Sequence, residues 1–371
     1  MRAFCLAVSA ALLLAPVAER SVAEEPAAAE ESLTQEPKPP RDPRPYRARR
    51  GSGAPTLRWQ GDGIGDDPPR SFDLPLHVAA FAGEKEKVAK LLEDGTDVNL
   101  ADEEGATALH AAAFGGRTEV AKLLIGQGAK LDVQDDLKVS PLHLAALGGH
   151  VELIRLLVAA GADTEIQNRR KMTPLHIATR EQQNAAALAL IDAGANVDAL
   201  AIRRWAPIHF AARAGAVEVV QRIIGAGGDV DIHRPNGFTA LHHAAQVRQL
   251  AIVKLLVEKG ADVNRLTEGG NRPLSVAVRA NAPAMISYLV EHGADVNGAS
   301  PNGITSLHIA AYSGKLDALE RLLELGARTD LKNDKGETPL MLARKPAKTA
   351  RRQAERDKAA EMLEAQAKAT P

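Results

Sequence analysis

From residue 72 onward, apolar and polar positions fall into one short pattern that returns again and again. A unit opens on a small polar residue and a proline, as in Thr173-Pro174-Leu175-His176-Ile177-Ala178. The threonine can cap a helix, and the proline suits its first turn, where no amide donor is needed. Small alanines let this first helix approach its neighbours closely. A second apolar run follows at helical spacing, for example Val151, Ile154, Leu156, Leu157 and Val158, and stops at Gly161. Glycine there can take the left-handed conformation that ends a helix. The next residues, such as Ala261-Asp262-Val263-Asn264, lead to a turn marked by Gly237, Gly270, Gly303 or Gly336. The pattern predicts a helix, a tight turn, a second helix and an extended finger in each unit.

The units keep strict register. Leu-His pairs at Leu76-His77, Leu109-His110, Leu142-His143, Leu175-His176, Leu241-His242 and Leu307-His308 are spaced by 33 residues or multiples of it. Ile208-His209, Leu274-Ser275 and Leu340-Met341 fill the remaining slots. An alanine two residues beyond each slot, from Ala79 to Ala343, and a glycine from Gly95 to Gly326 repeat with the same step. This resembles the ankyrin repeat, whose signature is a 33-residue period carrying T-P-L-H-x-A. The resemblance covers about residues 72–344 and implies an all-α repeat solenoid, with stacked helix-turn-helix units and β-hairpin-like fingers. Eight full repeats and the start of a ninth, at Asn333, give an array over residues 71–345. Repeat seven departs through Arg272-Pro273-Leu274-Ser275, and Lys138, Lys171 and Arg204 stand where the finger glycine usually sits. In the last unit, Lys358-Ala359-Ala360-Glu361-Met362-Leu363 matches Lys87-Val88-Ala89-Lys90-Leu91-Leu92 but arrives seven residues late. Residues 346–371 read as a polar capping helix and tail, since a solenoid needs a solvent-compatible end.

Composition adds little to the fold but restricts the function. Apolar residues make up 45% of the chain and aromatics only 3%, so the core is small and aliphatic. The 46 basic and 47 acidic residues leave a formal net charge of -1, so no whole-chain field draws in nucleic acid or an anionic membrane. Residues 1–23 read as a signal peptide: Arg2, an apolar run from Ala3 to Ala18, then Ser21 and Ala23 before a cleavage site. Cleavage after Ala18 is the alternative. An uncleaved anchor is the competing reading, but the run is shorter than the roughly 20 residues that span a bilayer. The expected product has no stable membrane insertion and contains no cysteine, because Cys5 is the only one. Residues 24–70, with EPKPPRDPRPYRARRGSGAP at their centre, read as a disordered Pro/Arg-rich linker.

Candidate chemistry is sparse. Seven of the eleven histidines occupy the recurring slot, where stacked helices separate neighbours by about 10 Å. That is far beyond a metal–nitrogen bond of ~2 Å. The resemblance implies that this histidine bonds the backbone and steadies the finger. His150, His233, His243 and His292 form no ligand spacing, and no nucleophile elbow, Walker loop or dinucleotide fingerprint is present. No enzyme activity, cofactor or metal is expected.

What remains is a surface. The resemblance implies that finger tips and the exposed side of the first helices make a concave binding face. Four residues before the histidine slot, the register reads Val139, Met172, Trp205 and Phe238 on fingers three to six. Arg170, Arg203 and Arg204 flank these positions, and Arg180 and Arg213 lie four residues after the slot. Aromatics and arginines are the residue types that dominate protein interfaces. These nine residues are the candidate partner site, an apolar groove edged by arginines that suits an apolar segment beside carboxylates. The competing reading has Trp205 and Phe238 folded back to cover finger-to-finger packing. The expected protein is a monomeric, periplasmic or secreted scaffold of exported bacterial type that binds a protein and not nucleic acid. A secreted effector acting on another organism's proteins, or a support factor for a periplasmic enzyme, are the alternatives.

Overall fold

Each first helix begins where a residue with an extended backbone precedes a proline, an alanine or, once, Ser306, and in most of them an alanine-rich interior leaves almost the whole surface buried. In Ala108–Gly115, for instance, Leu109, His110, Ala111, Ala112 and Ala113 have no exposed surface. Second helices bury one stripe only: Leu153, Ile154 and Leu157 are sealed, while Glu152 and Arg155 face solvent. This difference is what an inner and an outer layer require. In the computed structural model, residues 74–369 are described, and the expected signal peptide and linker lie outside them.

The first helices are α1 (Pro75–Ala82), α3 (Ala108–Gly115), α5 (Pro141–Gly148), α7 (Pro174–Arg180), α9 (Pro207–Ala214), α11 (Ala240–Gln246), α13 (Pro273–Arg279), α15 (Ser306–Ser313) and α17 (Pro339–Ala343). The second helices are α2 (Lys85–Glu93), α4 (Thr118–Gly126), α6 (Val151–Ala159), α8 (Asn184–Asp192), α10 (Val217–Gly225), α12 (Leu250–Glu258), α14 (Pro283–Glu291), α16 (Leu316–Glu324) and α18 (Ala350–Ala369). Each first helix packs on its own second helix and on the first helix of the next unit, and second helices pack on second helices from α2 to α16. Every second helix from α2 to α16 is followed by a glycine with positive φ, Gly95 at 90° and Gly161 at 98° among them. A residue with a Cβ takes that conformation only at a steric cost, which glycine avoids.

The fingers are turns rather than ladders. Among the described residues there is no strand, and only Ala101–Thr107 and His233–Thr239 form isolated antiparallel bridges. Successive fingers are joined by amide bonds such as Asp136 N–H to Glu104 O (2.9 Å) and Ile202 N–H to Arg170 O (3.0 Å). At the C-terminal end, α18 packs against α15, α16 and α17 and buries Ala359, Ala360 and Leu363. Arg356 is buried with them; it donates to the carbonyls of Tyr312 (2.6 Å), Lys345 and Pro346 and lies 4.0 Å from the Tyr312 ring centre.

Candidate functional site

The finger-side surface is fixed by two hydrogen-bond devices. The first lies inside the finger. Asp102, Asp135, Asn168 and Asn333 each accept from the amides two and four residues ahead, and Thr267 and Ser300 accept from the fourth. The second is the histidine slot. In repeat four, His176 Nδ1 accepts from the Thr173 amide (3.2 Å) and lies 2.9 Å from its hydroxyl. With Nδ1 accepting, Nε2 carries the proton and donates to the Trp205 carbonyl at 3.0 Å. His77, His110, His143, His242 and His308 reach the carbonyl 29 residues ahead in the same way. Burial opposes charging these rings: His143, His176, His209 and His242 are each lowered to about 4, while backbone acceptors pull the other way. His77 and His308 are lowered for the same reason.

That ladder places the candidate stripe. The carbonyls that receive the histidines belong to Val139, Met172 and Trp205 themselves. Their side chains differ in access. Val139, Trp205 and Phe238 are half-buried, whereas Met172 is buried, with its sulfur 3.6 Å from Arg180 Nη1. Arg203, Arg204 and Arg213 are exposed, and Arg170 is half-buried. Arg180 pairs with Glu181 at 2.7 Å.

The structure gathers Trp205 with residues that the stripe does not include. Its ring stacks on Phe210 (4.6 Å between centroids) and on His243 (4.9 Å), and the Arg234 guanidinium carbon sits 4.2 Å from its centre. Phe238 lies 5.5 Å from His243, and His209 meets His243 edge-on at 5.7 Å. Val139 has no part in this ring cluster. Phe210 and His243 occupy the position just after the slot, where other repeats carry Val78, Ala111, Leu144, Ile177 or Val276. Aromatic bulk entering that register only in repeats five and six is the signal that marks them.

Fingers five and six are also built differently. The position held elsewhere by the capping Asp, Asn, Thr or Ser is Ala201 in one and Arg234 in the other. Finger five compensates with a 3-10 turn, Ile202–Arg204, in which Arg203 and Arg204 both hold positive φ (59° and 53°). Pro235 has no amide to link the two fingers, as Pro301 has none between fingers seven and eight. His209 accordingly bonds the Ile232 carbonyl, 23 residues ahead, instead of the Phe238 carbonyl. Arg204 Nε donates to the His233 carbonyl at 3.4 Å.

Among the described residues no group of three or more His, Cys, Asp or Glu side chains could hold a metal ion, and no helix is long and apolar enough to cross a membrane. Burial holds the histidines of this arrangement towards the neutral form, and they are engaged through backbone bonds or ring packing. Comparison with curated proteins gave no match. Family models for ankyrin repeats in three copies match residues 64–135, 116–201 and 208–300, and one for ankyrin repeats in many copies matches 289–343. Together they span well over half of the sequence, in register with the helix pairs described above, and this chain belongs to the ankyrin-repeat family.

Proposed function

We propose that the chain is a non-enzymatic scaffold that takes a protein partner on the finger-side face of repeats three to six. Ankyrin repeats in general are protein-binding modules, and that much follows from membership of the family. The placing on repeats three to six rests on one observation: Trp205 stands half-exposed in a ring cluster bordered by Arg203, Arg204 and Arg234. Aromatic–arginine clusters of this kind concentrate binding energy. The signal-like segment before Ser21 and Ala23 supports work in an extracytoplasmic space, periplasmic or beyond.

A photoreactive residue introduced at Arg203, and separately at Arg155 on the outer helix α6, tests the placing in source cells. Adducts formed at Arg203, absent at Arg155 and lost in Trp205→Ala with Arg213→Glu are the expected result. Equal adducts at both positions reject the face. Fractionation and N-terminal sequencing test export: the mature chain is expected outside the cytoplasm, starting at Glu24.

A further inference from the structure

The junction of fingers five and six carries polar groups whose needs the chain does not meet. His243 is buried to within 5% of full, and its Nε2 has no hydrogen-bond partner. Arg234 Nε, on the neighbouring finger, is buried and without a partner too. A buried polar atom left in this state has lost its water partner without a replacement. Burial first, and then the like charges of Arg203 and Arg213, hold the Arg234 guanidinium below the ordinary arginine range. Burial comes first and Arg234 is among the groups that push His243 in the same direction. Beside them, Arg203 and Arg204 occupy consecutive left-handed backbone conformations, each unfavourable for a residue with a Cβ. Ile202, at the same tip, leaves half its surface (50%) in solvent.

These features share one remedy. We propose that the junction of fingers five and six receives a carboxylate side chain from an acidic segment of a protein partner, with Trp205 as the platform and Arg203, Arg204 and Arg234 as the ligands of the carboxylate. Guanidinium groups bind carboxylates through paired donors, and an anion relieves the crowding of like charges beside the half-buried Trp205 ring. Exposed Ile202 adds an apolar contact next to the charge. The missing capping residues at Ala201 and Arg234 fit the same picture. Two fingers give up an internal bond, and the freed positions bring a guanidinium onto Trp205. This reading rests on the scaffold function proposed above and specifies the chemistry of its partner.

The test uses the full chain with Trp59→Phe, which leaves Trp205 as its single tryptophan. Poly-L-glutamate is titrated in, with poly-L-lysine and a single-stranded oligonucleotide as comparison probes. Poly-L-glutamate is expected to change Trp205 emission saturably, and poly-L-lysine to leave it unchanged. Affinity is expected to fall at least tenfold in Arg234→Gln. The exposed pair Arg203→Gln and Arg204→Gln, which gives up the Arg204 bond to the His233 carbonyl, is expected to show a comparable fall with a melting temperature close to the parent's. No change in emission with poly-L-glutamate, or full binding by the exposed-pair variant, overturns the proposal. Tighter binding of the oligonucleotide overturns it also, because the surface is then a nucleic-acid site. If the Arg203 cross-link to a partner persists while poly-L-glutamate fails, the scaffold reading stands and the carboxylate chemistry falls. Loss of both removes the scaffold placing as well.

Discussion

Replacing His176 by Ser isolates the acid sensitivity that the histidine ladder builds into the array. In the native chain the ring cannot accept a proton at Nδ1 without setting a new N–H against the Thr173 amide, and burial, partly offset by the backbone carbonyls, lowers it to about 4, against 6.5 for an exposed histidine. The unfolded chain therefore binds more protons than the folded one between those values. Stability from this group is whole above about pH 6.5, declines as pH falls towards 4 and is gone below it. The full effect is about 3.4 kcal/mol per ring, and the loss between pH 7 and pH 5 is about 2 kcal/mol. With His143, His209 and His242 shifted to the same value, the four rings together lose about 7 kcal/mol over that interval. Serine in the slot is a solution the chain already uses: Ser275 accepts from the Arg272 amide and donates to the Arg272 carbonyl. His176→Ser forfeits the bond to the Trp205 carbonyl and is expected to cost about 3 kcal/mol at pH 7. At pH 5 the gap to the parent should narrow to about 1 kcal/mol, because the variant has one fewer ring to charge. Urea unfolding followed by far-ultraviolet circular dichroism, run on both proteins at each pH, measures this difference, and the carboxylates shared by the two chains cancel in it. Parallel losses in parent and variant refute the reasoning.

Four further substitutions test other parts of the structure. Gly303→Ala should cost about 2 kcal/mol or more, since φ is 72° there and a Cβ would stand 2.8 Å from the Asn333 Cα; an unchanged melting temperature contradicts this. Lys138→Gly and Lys171→Gly, at φ of 57° and 56°, should each gain about 0.5–1 kcal/mol in calorimetry, and a lower melting temperature argues against strain at those tips. Arg356→Ala removes three carbonyl contacts and the Tyr312 stacking, so α18 should detach at a cost of about 3 kcal/mol and be cleaved early by trypsin; protection equal to the parent's would show that apolar burial alone holds the cap.

The helix pairs, their boundaries and the capping role of Thr173 were legible because they depend on chemistry within a few residues, repeated in register. The same register identified the positions of Val139, Met172, Trp205 and Phe238 but not the direction of each side chain. Met172 turns inward beside Arg180, and Trp205 settles against Phe210 and His243. Those outcomes depend on the neighbouring finger, where Pro235 removes a link and Arg234 replaces a cap, and no single unit contains that information. The capping positions could have been compared column by column, and Ala201 followed by Arg234 then stands out.

The histidine ladder also gives the array a direction. Each Nε2 donor is satisfied by a carbonyl that the following unit supplies, so through this bond a unit depends on its successor, whereas finger amides such as Asp136 N–H depend on the unit before. Removing units from the N-terminal side leaves a carbonyl short of its histidine donor and frees a finger amide such as that of exposed Asp136, a mild loss beside solvent. Removing them from the C-terminal side strands a buried N–H, which is the costlier error. The chain ends its series accordingly: the slot of repeat nine holds Met341, half-exposed and asking for no acceptor.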